Sequence, residues 1–219
     1  MAPLIEGLSP ELVRCNLERV REQIAATGRD PAEVEILAAV KYVAVQELAT
    51  LAQAGLTLVG ENRAQDLVRK VQAAPDALTW DFIGHLQSRK VRDVLPRVRY
   101  IHSVASDSVL AQLASHGSDQ TEVLVEINVA GERGKSGIAP AELPDFLRRC
   151  PVRVVGLMTM PPLAPNAEDS RPYFAALREL AAENDLEQLS MGTSQDYLVA
   201  AQEGATIVRL GTTLFQRAS

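Results

Sequence analysis

Lys41 closes an apolar run, Val34-Glu-Ile-Leu-Ala-Ala-Val-Lys41, that breaks at once into a helical pattern. At the C-terminal mouth of a buried strand, neighbours can desolvate such an amine and lower its pKa, which makes it competent to form a Schiff base with an aldehyde. A lone strand-end lysine that snorkels to solvent gives the same pattern, so its company must decide. Gly192-Thr193-Ser194 and Gly211-Thr212 each follow a later apolar run. Their hydroxyls and backbone N–H groups are the donors that hold a phosphate, although each run alone also reads as an ordinary turn or N-cap.

These residues come together only if the strands that carry them do. Strand-like runs fall at Glu35–Val40, Thr57–Gly60, Trp80–Gly84, Arg99–Val104, Glu122–Val129, Arg153–Met158, Glu187–Met191 and Thr206–Leu210. Between them, helical spacing recurs in Val45/Leu48/Leu51/Ala52, Leu67/Val71, Val109/Leu110/Leu113/Ala114 and Phe174/Leu177/Leu180/Ala181. The runs are rich in β-branched residues, which suits strands covered on both faces. Strict alternation with eight repeats implies parallel crossovers and closure, so the expected fold class is α/β, a single (β/α)8 TIM barrel spanning residues 1–219 as one domain. An extra N-terminal helix from Pro10 to about Ala26, capped by Ser9 and striped by Val13, Leu17, Val20 and Ile24, precedes the first strand. Only nine residues follow the eighth strand, so this helix is expected to cover barrel surface that a full eighth helix would otherwise cover.

In such a barrel the residues just after each strand converge on one face. Here they are Lys41, Gly60-Glu-Asn-Arg63, Gly84-His-Leu-Gln-Ser88, His102-Ser103, Asn128, Met158-Thr-Met160, Met191-Gly-Thr-Ser194 and Arg209-Leu-Gly-Thr212. A phosphate cradle from the last two strands facing a Schiff-base lysine describes a site for pyridoxal 5′-phosphate (PLP).

With these motifs in order, the chain resembles the pyridoxal phosphate homeostasis proteins. The resemblance runs nearly end to end: Ala38-Ala-Val-Lys41, Gly60-Glu-Asn-Arg-Ala-Gln65, Phe82-Ile-Gly-His-Leu-Gln87, Ile127-Asn128 with Gly131-Glu132 through Lys135-Ser-Gly137, Gly156-Leu-Met-Thr-Met-Pro161, Leu189-Ser-Met-Gly192 and Val208-Arg-Leu-Gly-Thr212. It implies a barrel related to the N-terminal half of alanine racemase, with Lys41 as the Schiff-base lysine. It further implies Arg209 opposite the pyridine nitrogen, Ser194, Gly211 and Thr212 on the phosphate, Asn62 near the ring, and Ser190 and Met191 in the pocket wall. Tyr42, Arg89 and Gln216 depart from the family's pattern and bear on the rim.

The resemblance also implies a role in intracellular vitamin B6 balance. An arginine opposite the ring nitrogen keeps that nitrogen unprotonated and weakens the electron sink. Racemisation needs a second acid/base as well, for which Tyr42, Tyr100, Tyr173 and Tyr197 are candidates only in principle. The expectation is a PLP carrier or buffer without robust turnover. A PLP-dependent amino-acid racemase or lyase is the alternative, and a Schiff-base sugar-phosphate aldolase a more distant one. Expected partners are PLP and, with it, amino acids or apoenzymes that accept PLP; the chain is expected to be monomeric.

Other classes fit poorly. The net charge of −6 gives no overall basic bias toward nucleic acid or anionic membrane. Cys15 and Cys150 make no CxxC pair, and the N-terminus has neither a basic region nor a long apolar one, so a cytoplasmic location is expected. Gly131-Glu-Arg-Gly-Lys-Ser136 suggests a P-loop, but the position that requires the first glycine is Val129. His85, His102 and His116 lack metal-ligand spacing. Lys135 reads as a solvated loop charge.

Overall fold

Ser9 accepts a hydrogen bond from Leu12 N and Pro10 occupies the first turn, so the leading helix starts where its cap dictates, as α1 (Pro10–Ala26). The computed structural model describes residues 4–216; the first three residues of the N-terminal stretch read for a leader lie outside them. After α1, the first half of the chain runs β1 (Glu35–Ala39), α2 (Leu48–Gln53), β2 (Leu58–Glu61), α3 (Ala64–Ala73), β3 (Thr79–Phe82), α4 (Val91–Val94), β4 (Tyr100–Val104) and α5 (Asp107–His116). The second half runs β5 (Glu122–Glu126), α6 (Leu143–Arg149), β6 (Arg153–Met158), α7 (Arg171–Ala182), β7 (Gln188–Thr193), α8 (Tyr197–Gln202), β8 (Ile207–Leu210) and α9 (Thr212–Phe215).

The eight strands pair in parallel, in sequence order, and close between β1 and β8 into the expected barrel. Closure matches Leu37 with Arg209 and Ala38 with Leu210, which brings the Lys41 mouth beside the end of β8. Period-two alternation sorts the strand residues. Ala38, Val59, Val123, Val125 and Val208 join the large core between sheet and helices, while Leu37, Leu58 and Ile207 form a small separate cluster. Further along the strands the buried residues are polar: Asp81, His102, Ser190 and Arg209.

The leading helix does cover the end of the chain. Val13, Leu17, Val20 and Ile24 are buried, and Asn16 Nδ2 donates to the Leu214 and Gln216 carbonyls, 3.0 Å each. The Gly131–Ser136 loop opens no helix; the next α-helix starts at Leu143. Among the described residues no helix is long and apolar enough to cross a membrane, and no cluster of metal-ligating side chains occurs. Both cysteines are free.

Candidate functional site

Lys41 stands in a turn two residues past β1 and lines a cavity of about 620 Å³ at the C-terminal face of the barrel, a volume suited to a small ligand. The residue is exposed, and its amine lies 5.1 Å from the centre of the Tyr42 ring. Two devices hold this turn. Ile5 N donates to the Tyr42 carbonyl at 2.6 Å and Ala44 N returns a bond to Ile5 at 3.1 Å, so the N-terminal segment straps the turn. From beneath, the buried Lys70 ammonium donates to the Val40 carbonyl at 2.5 Å and to Glu61 Oε2 at 2.6 Å. The other Glu61 oxygen accepts Asn62 N at 2.8 Å. One buried ion pair therefore fixes the backbone beside both Lys41 and Asn62.

Of the residues singled out from sequence, Lys41, Asn62, Ser194, Arg209, Gly211 and Thr212 all line the cavity. Ser190 and Met191 do not. Met191 packs in the core between sheet and helices, and Ser190 is buried with its hydroxyl on Arg209. Of the departures, Tyr42 lines the cavity, Arg89 borders a separate groove, and Gln216 meets α1 through its carbonyl.

At the far wall, Ser194 Oγ accepts Gly211 N at 3.3 Å and Thr213 N at 3.4 Å, so two backbone donors and a hydroxyl converge where the last two strands end. Gly192 (φ +89°) turns the chain into this loop through left-handed backbone that disfavours side chains. Asp196 ties the loop down by accepting Thr193 N at 2.7 Å.

Arg209 forms the floor. Nη1 donates to Ser190 Oγ at 2.6 Å, and Nη2 to the Thr159 carbonyl at 2.9 Å and Met160 Sδ at 3.0 Å. Burial pulls its pKa down to about 10, against the opposing pull of Asp196 and Glu126. No carboxylate touches the guanidinium among the described residues, so its charge remains available to the cavity. In the same lining, Asn62 Oδ1 is buried with no hydrogen-bond partner among the described residues, an acceptor suited to a ligand donor.

Sequence reasoning missed Glu126. It ends β5, lines the cavity and makes no side-chain hydrogen bond among those described; burial pushes its carboxyl above the ordinary range, with Arg209 opposing. Alternation along Val123-Leu-Val-Glu126 was the available signal, because it turns Glu126 away from the Val123 and Val125 face. His85 and Lys135 also reach the cavity; Lys135 stays half exposed beside Glu132 at 3.4 Å. A second concavity of about 560 Å³ at the opposite end includes Arg99, but that guanidinium is already paired with Asp81 and Glu35.

The family profile described as "Alanine racemase, N-terminal domain" matches residues 11–218. A "Pyridoxal phosphate homeostasis protein" of Aquifex aeolicus is 40% identical over 213 residues, 91% of this chain and 93% of that protein. One of the same name from Pseudomonas aeruginosa is 39% identical over 209 residues, 90% of each. Among solved structures, PipY of Synechococcus elongatus with PLP bound superposes with a TM-score of 0.79 at 31% identity, over 93% of this chain and all of that one. Alanine racemase of Corynebacterium glutamicum shares the fold, with a TM-score of 0.75 at 14% identity over 99% of this chain and 64% of that one.

Proposed function

The chain belongs to the pyridoxal phosphate homeostasis proteins, within the alanine racemase N-terminal domain family, and from that membership we propose that it binds PLP in the Lys41 cavity and serves in the cytoplasm as a carrier and buffer of that cofactor. The observation that carries the reading is a single cavity holding a free amine, a phosphate-type donor cluster and a buried arginine without a carboxylate.

The residues present fit the group. The Ser194 and Thr212 hydroxyls would offer donors to a phosphate, beside the Gly211 N–H group that here makes a long bond to Ser194 Oγ. Asn62 Oδ1 offers an unused buried acceptor, and the Arg209 cation suits a bare pyridine nitrogen. When bound, PLP supplies an aldehyde that an amine can hold as a Schiff base and a ring that can withdraw electrons. Lys41 is the amine that would hold it. Its exposure at the mouth lets water and free amines approach, which favours release and exchange over sequestered chemistry. Arg209 would hold a positive charge beside the ring nitrogen and so discourage its protonation. Amino acids and PLP-accepting apoenzymes are the partners this reading expects, with the chain acting as a monomer.

The test is a visible spectrum of the purified protein with added PLP, before and after borohydride. Wild type is expected to show a band trapped by reduction on Lys41, and Lys41→Ala to lose it. Equal spectra for the two would sink the reading.

Glu126 favours a second reading, a PLP-dependent racemase or lyase, because burial helps this cavity carboxyl keep its proton to higher pH. Exchange of an amino acid's α-proton at catalytic rates, lost in Glu126→Gln, would establish it. Exchange no faster than with free PLP leaves the carrier.

A further inference from the structure

Beneath the cavity a row of side chains crosses the barrel from β8 through β7 and β4 to β3. Arg209 Nη1 donates to Ser190 Oγ at 2.6 Å, Ser190 Oγ lies 2.8 Å from His102 Nδ1, and His102 Nε2 lies 3.1 Å from Asp81 Oδ2. Arg99 closes the row, donating through Nε and Nη2 to the two Asp81 oxygens at 3.1 and 2.7 Å. Ser190, His102 and Asp81 are fully buried. Barrel interiors are usually filled by branched apolar side chains, and a buried polar group is costly unless paired. This row pairs every member.

Chemistry fixes the direction of each bond. Burial would raise the Asp81 carboxyl, but the bonds from His102 and Arg99 hold it below the usual range, so it is an anion that only accepts. His102 Nε2 must therefore carry the proton. Burial pushes the imidazole down, so it is neutral and its Nδ1 is bare. The Ser190 hydroxyl must then donate to Nδ1, which leaves its lone pairs for Arg209. The row has one polarity, from the Arg209 N–H to the Asp81 carboxylate.

We infer that Asp81, His102 and Ser190 are positioning residues for Arg209, which hold a buried guanidinium at the cavity floor without a carboxylate neutralising it by contact. The effect on cofactor rests on the PLP reading above; the effect on Arg209 does not. Ser190 keeps a lone pair turned to Nη1 because His102 occupies its proton, and His102 keeps Nδ1 bare because Asp81 occupies the other nitrogen. A carboxylate placed directly on Arg209 would spend the charge there. The relay orients the cation and leaves its field to whatever lies above it.

The test compares wild type, Ser190→Ala and Asp81→Asn, first without PLP. Nitrogen-15 NMR is expected to show wild-type His102 protonated on Nε2 and the Arg209 Nη groups resolved by slow rotation. Ser190→Ala should average those Nη signals. Asp81→Asn should turn its amide N–H toward His102 and move the proton to Nδ1. With PLP added, both variants should shift the cofactor's absorption maximum, and Ser190→Ala should release PLP about tenfold faster, the factor expected for losing one hydrogen bond to a charged group. Unchanged Arg209 signals in Ser190→Ala would overturn the proposal, as would a wild-type band and release rate in both variants. If wild type takes up no PLP, the functional reading falls while the cofactor-free spectra still decide the role of the row. If Asp81→Asn does not fold, Ser190→Ala decides alone, since it removes a single oxygen.

Discussion

Two lysines lie near the mouth of β1 and have opposite fates. Lys41 is exposed to the cavity, whereas Lys70 is 2% exposed and locked to Glu61 and the Val40 carbonyl. Borohydride reduction in the presence of PLP should therefore leave a pyridoxyl group on Lys41 and none on Lys70, which peptide mapping of the reduced protein checks. Lys70→Met should destabilise the protein by about 3–5 kcal/mol, because it strands a buried carboxylate. Denaturant melts measure this, and a loss under about 1 kcal/mol would show that Glu61 finds another partner. At this scale strand-end position was enough to pick out six residues that line one cavity: Lys41, Asn62, Ser194, Arg209, Gly211 and Thr212. It did not reveal Glu126 or the Glu61–Lys70 pair, which depend on which face a residue takes and what packs beneath it. Ser190 and Met191 are adjacent yet part company, because alternation sends one inward and the other to the helix layer.

Among elements, the eight strands were legible because each is a compact apolar run between helical patterns. Only their ends moved. The run expected to reach Val129 leaves the sheet after Glu126, and Ile127 instead bridges to Ile138 across the glycine-rich loop. Propensity favoured continued strand; the return of the loop is a tertiary contact with no local signature. The turn after β3 shows how tightly elements set the site. A Cβ on Gly84 would collide with the Asn62 backbone, including its carbonyl oxygen. Gly84→Ala should cost about 3 kcal/mol or more and weaken PLP binding by displacing Asn62. Thermal melts and PLP titration test this, and wild-type values in both would show that the two loops can separate freely.

For the whole molecule, buried ionisable groups set the dependence on pH. His102 has a folded pKa below its unfolded value of about 6.5, so the unfolded chain takes up that proton first as pH falls. Its contribution to stability is full above about 6.5 and is lost as pH drops below it, at no more than about 1.4 kcal/mol per pH unit for one proton. Asp81, with its folded value depressed, adds a loss only at lower pH, as acid approaches its folded value. Glu126 works the other way: its raised folded value gives stability below about 4.3 that is lost as pH rises through the folded value, so Glu126→Gln should be more stable than wild type at neutral pH and not at pH 4. Denaturant midpoints from pH 4 to 8 check the His102 and Glu126 signs, a series continued below pH 4 checks Asp81, and a flat profile between 7.5 and 5 in Glu126→Gln, where the opposing carboxyl is gone, would contradict the His102 assignment.

The closing contacts of the barrel also impose an order in time. Lys41 follows the first strand, while Arg209 lies on the last and Gly211 and Thr212 follow it, and Asn16 of α1 donates to the carbonyls of Leu214 and Gln216. During translation the reactive amine is made first. At roughly 5–20 residues per second, it waits on the order of ten seconds for Arg209 and the Gly211–Thr212 turn to emerge. An aldehyde that meets the nascent chain in that interval finds an amine with no cradle around it. On the PLP reading, the means of retention would thus arrive last, and stable loading would await chains whose synthesis has passed the final strand.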